Sequence, residues 1–119
     1  MLNSFPIERV YLACGSTDMR KSINGLVLIV QECFHKNPFE GTLFVFCNRQ
    51  RNKIKILRWE HSGFWLYYKR LEKARFKWPT SCDEGTGMTV TERELRWLLD
   101  GLSLDQRSAH REVHERVII

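Results

Sequence analysis

Three runs between residues 41 and 70 carry the plainest pattern in the chain. TLFVFCN, KIKILRW and GFWLYYKR are rich in aromatic and β-branched residues, the composition of strands. NRQRN and Glu60-His61-Ser62 separate them. Connections this short imply antiparallel neighbours, so the region predicts a meander of two hairpins. In the second run Ile54 and Ile56 share one face while Lys53 and Lys55 share the other. One side is therefore expected to be core and the other to meet solvent or ligand.

Upstream, RVYLAC (9–14) reads as a short strand, followed by turn chemistry at Gly15-Ser16-Thr17-Asp18, with Ser16 or Thr17 as the N-cap. Met19, Ile23, Leu26, Val27, Val30 and Phe34 recur at helical spacing and predict one long helix over 18–34, ending near His35-Lys36-Asn37-Pro38. Gly25 inside it suggests a close packing contact. Downstream, LEKARFKWP is a candidate further strand and residues 80–88 a polar loop. Thr91-x-x-Glu94 is a capping-box signature opening the helix ERELRWLLDGL, which Gly101 stops. The tail 103–119 is polar with a late apolar tip; a docked helix and a frayed end both fit it. The expectation is a single α+β domain over 1–119 with its compact core at about 8–102. It has a three- to four-stranded, mainly antiparallel sheet packed by the long helix, with the second, short helix capping an edge or end.

Composition narrows the class. With 119 residues, 43% apolar and 12% aromatic, the chain suits one folded domain with a modest core. No apolar stretch is long enough to span a membrane, and the N-terminus lacks the features of a signal peptide, so a cytoplasmic protein is expected. Cys14, Cys33, Cys47 and Cys82 form no CxxC or CxxH pair, which favours reduced, mostly packed thiols over disulfides or zinc.

Charge then adds a function class. The net charge is +5, but between Arg49 and Trp78 ten Lys/Arg residues face two acids, so the rest of the chain is slightly acidic. Trp59, Phe64, Trp65, Tyr67, Tyr68, Phe76 and Trp78 are interleaved with those bases. Cations with aromatic surface suit a phosphate backbone and unstacked bases. The competing reading is a solvated sheet face whose lysines guard an edge strand, but such a face normally mixes signs. Arg49, Arg51, Lys53 and Lys55 lie on and beside a hairpin tip, placed to reach phosphates; Lys69, Arg70, Lys73, Arg75 and Lys77 extend the set. Alternation assigns about half of the aromatics to the core.

A second candidate is CGSTDMRK, where Gly15, Arg20 and Lys21 suit phosphate at a helix start. Its spacing fits neither a Walker A loop nor GxGxxG, Asp18 opposes an anion, and ordinary capping explains the same residues. Catalysis finds little support. The acids are dispersed, no Ser-His-Asp or Cys-His setting stands out, and His110 and His114 sit in the polar tail. The chain is expected to be no enzyme, with no metal and no cofactor.

Taken in order, VYLACGSTDMRKSINGL, LFVFCNRQRNKIKILRWEHSGFWLYYKRLEKARFKWP and TERELRWLLDGL resemble the accessory proteins, or second open reading frame products, of IS-sixty-six-type insertion sequences. The resemblance runs from about Val10 to Leu102. It departs from the family's usual forms at Gln50, Asn52 and Ala74, which affects turn detail. It implies a bacterial transposition factor that acts beside a separate DDE-type transposase and brings no catalytic residues of its own. Joined to the charge pattern, it makes transposon-end DNA and the transposase the expected partners. The preferred reading is a nucleic-acid-binding subunit. The alternative is an interaction module docking on the transposase without touching DNA.

Overall fold

The computed structural model describes residues 9–82 and 86–104. Five strands form one mixed sheet: β1 (Val10–Ala13), β2 (Leu43–Cys47), β3 (Lys53–Glu60), β4 (Gly63–Arg70) and β5 (Gly87–Val90), in the order β4-β3-β2-β1-β5. The helices are α1 (Ile23–Leu28), which continues into a π-helical turn at Ile29–Cys33, and α2 (Glu92–Leu99). The α+β class and both hairpins are as the pattern predicts. Antiparallel pairing runs from Phe44↔Leu57 to Cys47↔Ile54, and from Lys53↔Arg70 to Glu60↔Gly63.

The rest of the sheet departs from expectation. β1 pairs parallel to β2, Val10 opposite Leu43, because the chain leaves β1 and returns through the helical crossover. On its other side β1 pairs antiparallel to β5, which takes in two residues of the segment expected to be loop, Gly87 and Met88. Gly87 is a strand glycine required by close approach: a Cβ there would collide with the Tyr11 ring.

Both faces of the sheet are covered. On one, Ala13, Phe44, Phe46 and Leu57 bury against Leu26 and Val30 of the α1 segment. On the other, Val10, Leu12, Ile54 and Ile56 pack with Leu95 and Leu98, so α2 covers a face instead of capping an edge. β2 is consequently buried at every position. The side carrying Lys53 and Lys55 is open only near the β2–β3 turn, since Leu57 farther along is fully buried. LEKARFKWP is not a strand. It runs across the α2 side, where Phe76 and Trp78 join the core. Phe76 N–H donates to the Arg51 carbonyl at 2.7 Å, and the Trp78 indole donates to the Ala13 carbonyl at 2.8 Å.

The first helix starts later than its apolar spacing suggests. Residues 14–22 remain a loop, and Ser22 takes the N-cap position without a side-chain cap bond, displacing Ser16 and Thr17 from that role. The loop is held by tertiary bonds instead, such as Thr17 N–H to the Cys47 carbonyl at 2.8 Å. Gly25 does mark a close contact, its Cβ position lying 3.2 Å from the Lys21 Cβ. At α2 the Thr91/Glu94 capping box forms as predicted, and Gly101 follows with φ +83°.

One cysteine expectation is overturned. Cys14 and Cys82 are joined as a disulfide, their Cα atoms 6.1 Å apart across 68 residues of chain. Spacing in the sequence does not reveal this pairing. It depends on the end of β1 lying beside the segment after Trp78, where Gly15 N–H donates to the Pro79 carbonyl at 3.0 Å. Cys47 is a buried free thiol, as expected, whereas Cys33 is free and exposed. The tail beyond Leu104, with His110 and His114, lies outside the described residues.

Candidate nucleic-acid interface

The two basic motifs, some thirty residues apart in sequence, meet in one cleft. Its near wall is the 14–22 loop and its far wall the turn between β2 and β3. The recess measures about 760 Å³ and is lined by Ser16, Thr17, Asp18, Met19, Arg20, Asn48, Arg49, Gln50, Lys53, Lys55 and Tyr68. Parallel pairing of β1 with β2 is what sets these walls side by side, because the end of β1 and the end of β2 then point the same way.

The β2–β3 turn is built by a side chain the charge pattern does not single out. Asn48 is buried, and its amide oxygen accepts from the backbone N–H groups of Asn52 and Lys53, each at 3.0 Å. Its amide nitrogen donates to Gln50 Oε1 at 3.2 Å and Asn52 Oδ1 at 2.8 Å. Arg51 adopts φ +61°, a left-handed conformation that this network holds in a non-glycine residue. The tip therefore presents Arg49 and Arg51 to solvent from a stiff frame. An asparagine opening a five-residue turn is the one sequence signal for this role.

Lys55 joins the walls. Its ammonium donates to the carbonyls of Met19 at 2.8 Å and Lys21 at 3.0 Å, which orders the near wall and spends two of its three donors. On that wall the Arg20 guanidinium grips Asp18 at 2.8 and 3.1 Å, and the Arg20 N–H donates to the same carboxylate at 2.9 Å. Hydrogen bonding to Arg20 holds the Asp18 carboxyl down at about 2. The pair neutralises the acid that opposes an anion here. Gly15 N–H donates to the Pro79 carbonyl at 3.0 Å, so this amide is not open to an anion. Lys21 is exposed, its stem against Gly25 and its carbonyl bound by Lys55.

The remaining bases divide among other surroundings. Lys53 lies opposite Arg70 on β4. The Arg70 guanidinium is paired with Glu72 at 2.9 Å, and that contact raises its already high pKa. Lys69 points to the other face and donates to the Leu99 carbonyl at 2.9 Å, a cation at the C-terminal end of α2. Arg75 reaches back to the Gln50 carbonyl at 3.2 Å. Lys73 and Lys77 are exposed on the segment that covers the α2 side. Arg58 is buried and takes no part in the surface. Thus Arg49, Lys53 and Lys55 gather with Arg20, Arg51 projects from the same tip, and Lys69, Lys73 and Lys77 do not join them.

The aromatics sort as sharply. Phe76 and Trp78 are core, Trp59 and Phe64 cluster with Phe39, and Trp65 stacks on Tyr67 at 6.2 Å. Tyr68, cross-strand from Lys55, is 54% exposed on the cleft. Among the described residues no group of three or more His, Cys, Asp or Glu is disposed to hold a metal, and no helix is long and apolar enough to cross a membrane.

A small mixed sheet with a helix over each face, opening at one end into a basic cleft, is the class of domain these features define. Residues 8–109 match the family model described as IS66 Orf2 like protein, and the chain belongs to that family. The family places it among the transposition-associated accessory proteins of insertion sequences. Two relatives come from Sinorhizobium fredii (strain NBRC 101917 / NGR234). The uncharacterized protein y4hO is 39% identical over 102 residues, covering 86% of this chain and 87% of its own. The uncharacterized protein y4jC is 31% identical over 87 residues, covering 73% and 74%. No solved structure matches the chain.

Proposed function

We propose that the chain is a non-catalytic nucleic-acid-binding subunit that engages transposon-end DNA through this cleft, in support of a separate DDE-type transposase. The observation that carries the reading is the convergence of Arg20, Arg49, Lys53 and Lys55 on one recess beside an exposed tyrosine ring. Two stretches contribute those bases; Asp18 offsets Arg20, and the positive charge that remains on Arg49, Lys53 and Lys55 suits an anionic partner.

Counterion release supplies the test. Affinity for DNA falls steeply between 50 and 200 mM salt when several phosphates are neutralised. Reversing Arg49, Arg51 and Lys53 to Glu weakens binding by about tenfold or more and flattens the salt slope. Salt-independent affinity, or no response to the triple change, overturns the reading. A second reading, docking on an acidic patch of the transposase, draws support from Lys73 and Lys77, which are exposed away from the cleft. It predicts a stable complex with purified transposase in the absence of DNA, lost on changing that pair and insensitive to changes in the cleft.

A further inference from the structure

Shape distinguishes the strand states that charge alone does not. Resting on the nucleic-acid reading above, we propose that the cleft takes an unpaired strand, one base stacking on Tyr68 with the flanking phosphates against Arg49 and Lys53. Proteins read a duplex by inserting a helix or ribbon into a major groove about 12 Å wide. Here the bases line a recess of about 760 Å³, within the size range of small-ligand pockets, roughly 300–1,000 Å³. A concavity of that size seats a base with its neighbouring phosphates, whereas a duplex keeps its bases stacked inside and offers the recess only backbone and groove edges.

The floor fits the same substrate. Among the described residues Tyr68 is more exposed than any other large apolar or aromatic side chain except Leu28, and it lies on an edge strand of the sheet. Trp65, Trp59 and Phe64 are occupied by ring partners, whereas Tyr68 enters no ring contact among those described. A ring held on a strand beside cations is the stacking platform that single-strand binders use, and it tolerates any base because every base has a π-face. The site is also preformed. Asn48 fixes one wall through four hydrogen bonds and Lys55 ties down the other through two, so little ordering opposes binding.

Fluorescence anisotropy on the full chain, with labelled oligothymidylate and a mixed-sequence duplex of equal length at one salt concentration, tests this. The expected result is tighter binding of the single strand by about tenfold or more. Tyr68→Ala and Tyr68→Leu each weaken single-strand binding by about tenfold, while Tyr68→Phe keeps it and duplex binding does not move. Tyr68→Leu retains an apolar residue on the strand, so it reads stacking separately from folding. Equal or tighter duplex binding, or no effect of either variant, overturns the inference. If duplex binding remains sensitive to the Arg49, Arg51 and Lys53 reversal, only the strand assignment falls. If neither probe binds, the nucleic-acid reading falls with it.

Discussion

The Lys55 ammonium lies 2.8 Å from the carbonyl oxygen of Met19, a residue 36 positions earlier in the chain. A lysine that alternation places on an open face is thus a tether between the sheet and the loop after β1. Replacing it with Met removes this charge-assisted bond and the one to the Lys21 carbonyl while keeping most of the side-chain volume. The expected cost is about 1–2 kcal/mol, seen as a lower urea midpoint with an unchanged m-value. An unaltered midpoint shows that the tether contributes nothing.

Close packing of β5 on β1 rests on Gly87. A Cβ there meets the Tyr11 ring, so Gly87→Ala is expected to destabilise by about 1–3 kcal/mol. Adding Tyr11→Ala removes the collision, and the double variant should lose less than the sum of the two single changes. Strict additivity in thermal or urea unfolding argues against the contact.

Asp18 gives a pH prediction. Its folded pKa is depressed to about 2 from an ordinary 3.8, mainly by the hydrogen bonds from Arg20. A depressed carboxyl contributes stability that is present above the ordinary value and lost as pH falls through the folded one. The pair's contribution is therefore constant above pH ~5 and is lost as pH falls from there through about 2. NMR titration should place the carboxyl midpoint near 2 in the native chain, and Arg20→Ala should return it towards 3.8. An identical midpoint in both proteins removes the pair from the account.

The cysteines should report the fold directly. Burial pushes the Cys47 thiol up to about 12, while Cys33 is exposed. At pH ~8 an alkylating reagent is expected to modify Cys33 in the native oxidised protein and to spare Cys47. Denaturation without reductant exposes Cys47 as a second thiol, and reductant releases Cys14 and Cys82. Four reactive thiols before reduction would show that Cys14 and Cys82 are not bonded.

Much of this architecture is legible one segment at a time. The β2–β3–β4 meander follows from strand composition and short turns, and the α2 cap follows from Thr91 and Glu94, because those signals act over a few residues. The family, too, is readable from phrases such as CGSTDMRK and FVFCNRQRNKIKIL. Errors arise where long-range contacts override local pattern. The 18–22 stretch has helical spacing, yet Lys55 and Cys47 hold its neighbourhood as a loop. Gly87 carries a loop signal, yet it lies in a strand because it pairs with Ala13 of β1, and its missing Cβ leaves room for the Tyr11 ring.

By itself, then, the sequence determined the β2–β3–β4 meander, the capped start of α2, the family and the sign of the charged stretch, since each is written in contiguous residues. Only the tertiary structure decided which bases meet. Placing β1 parallel to β2 brings Arg20 across from Arg49 and Lys53, while α2 and Glu72 draw Lys69 and Arg70 to other tasks. Strand order is set by how both faces of the sheet are buried together, a global packing balance that no local window of residues contains.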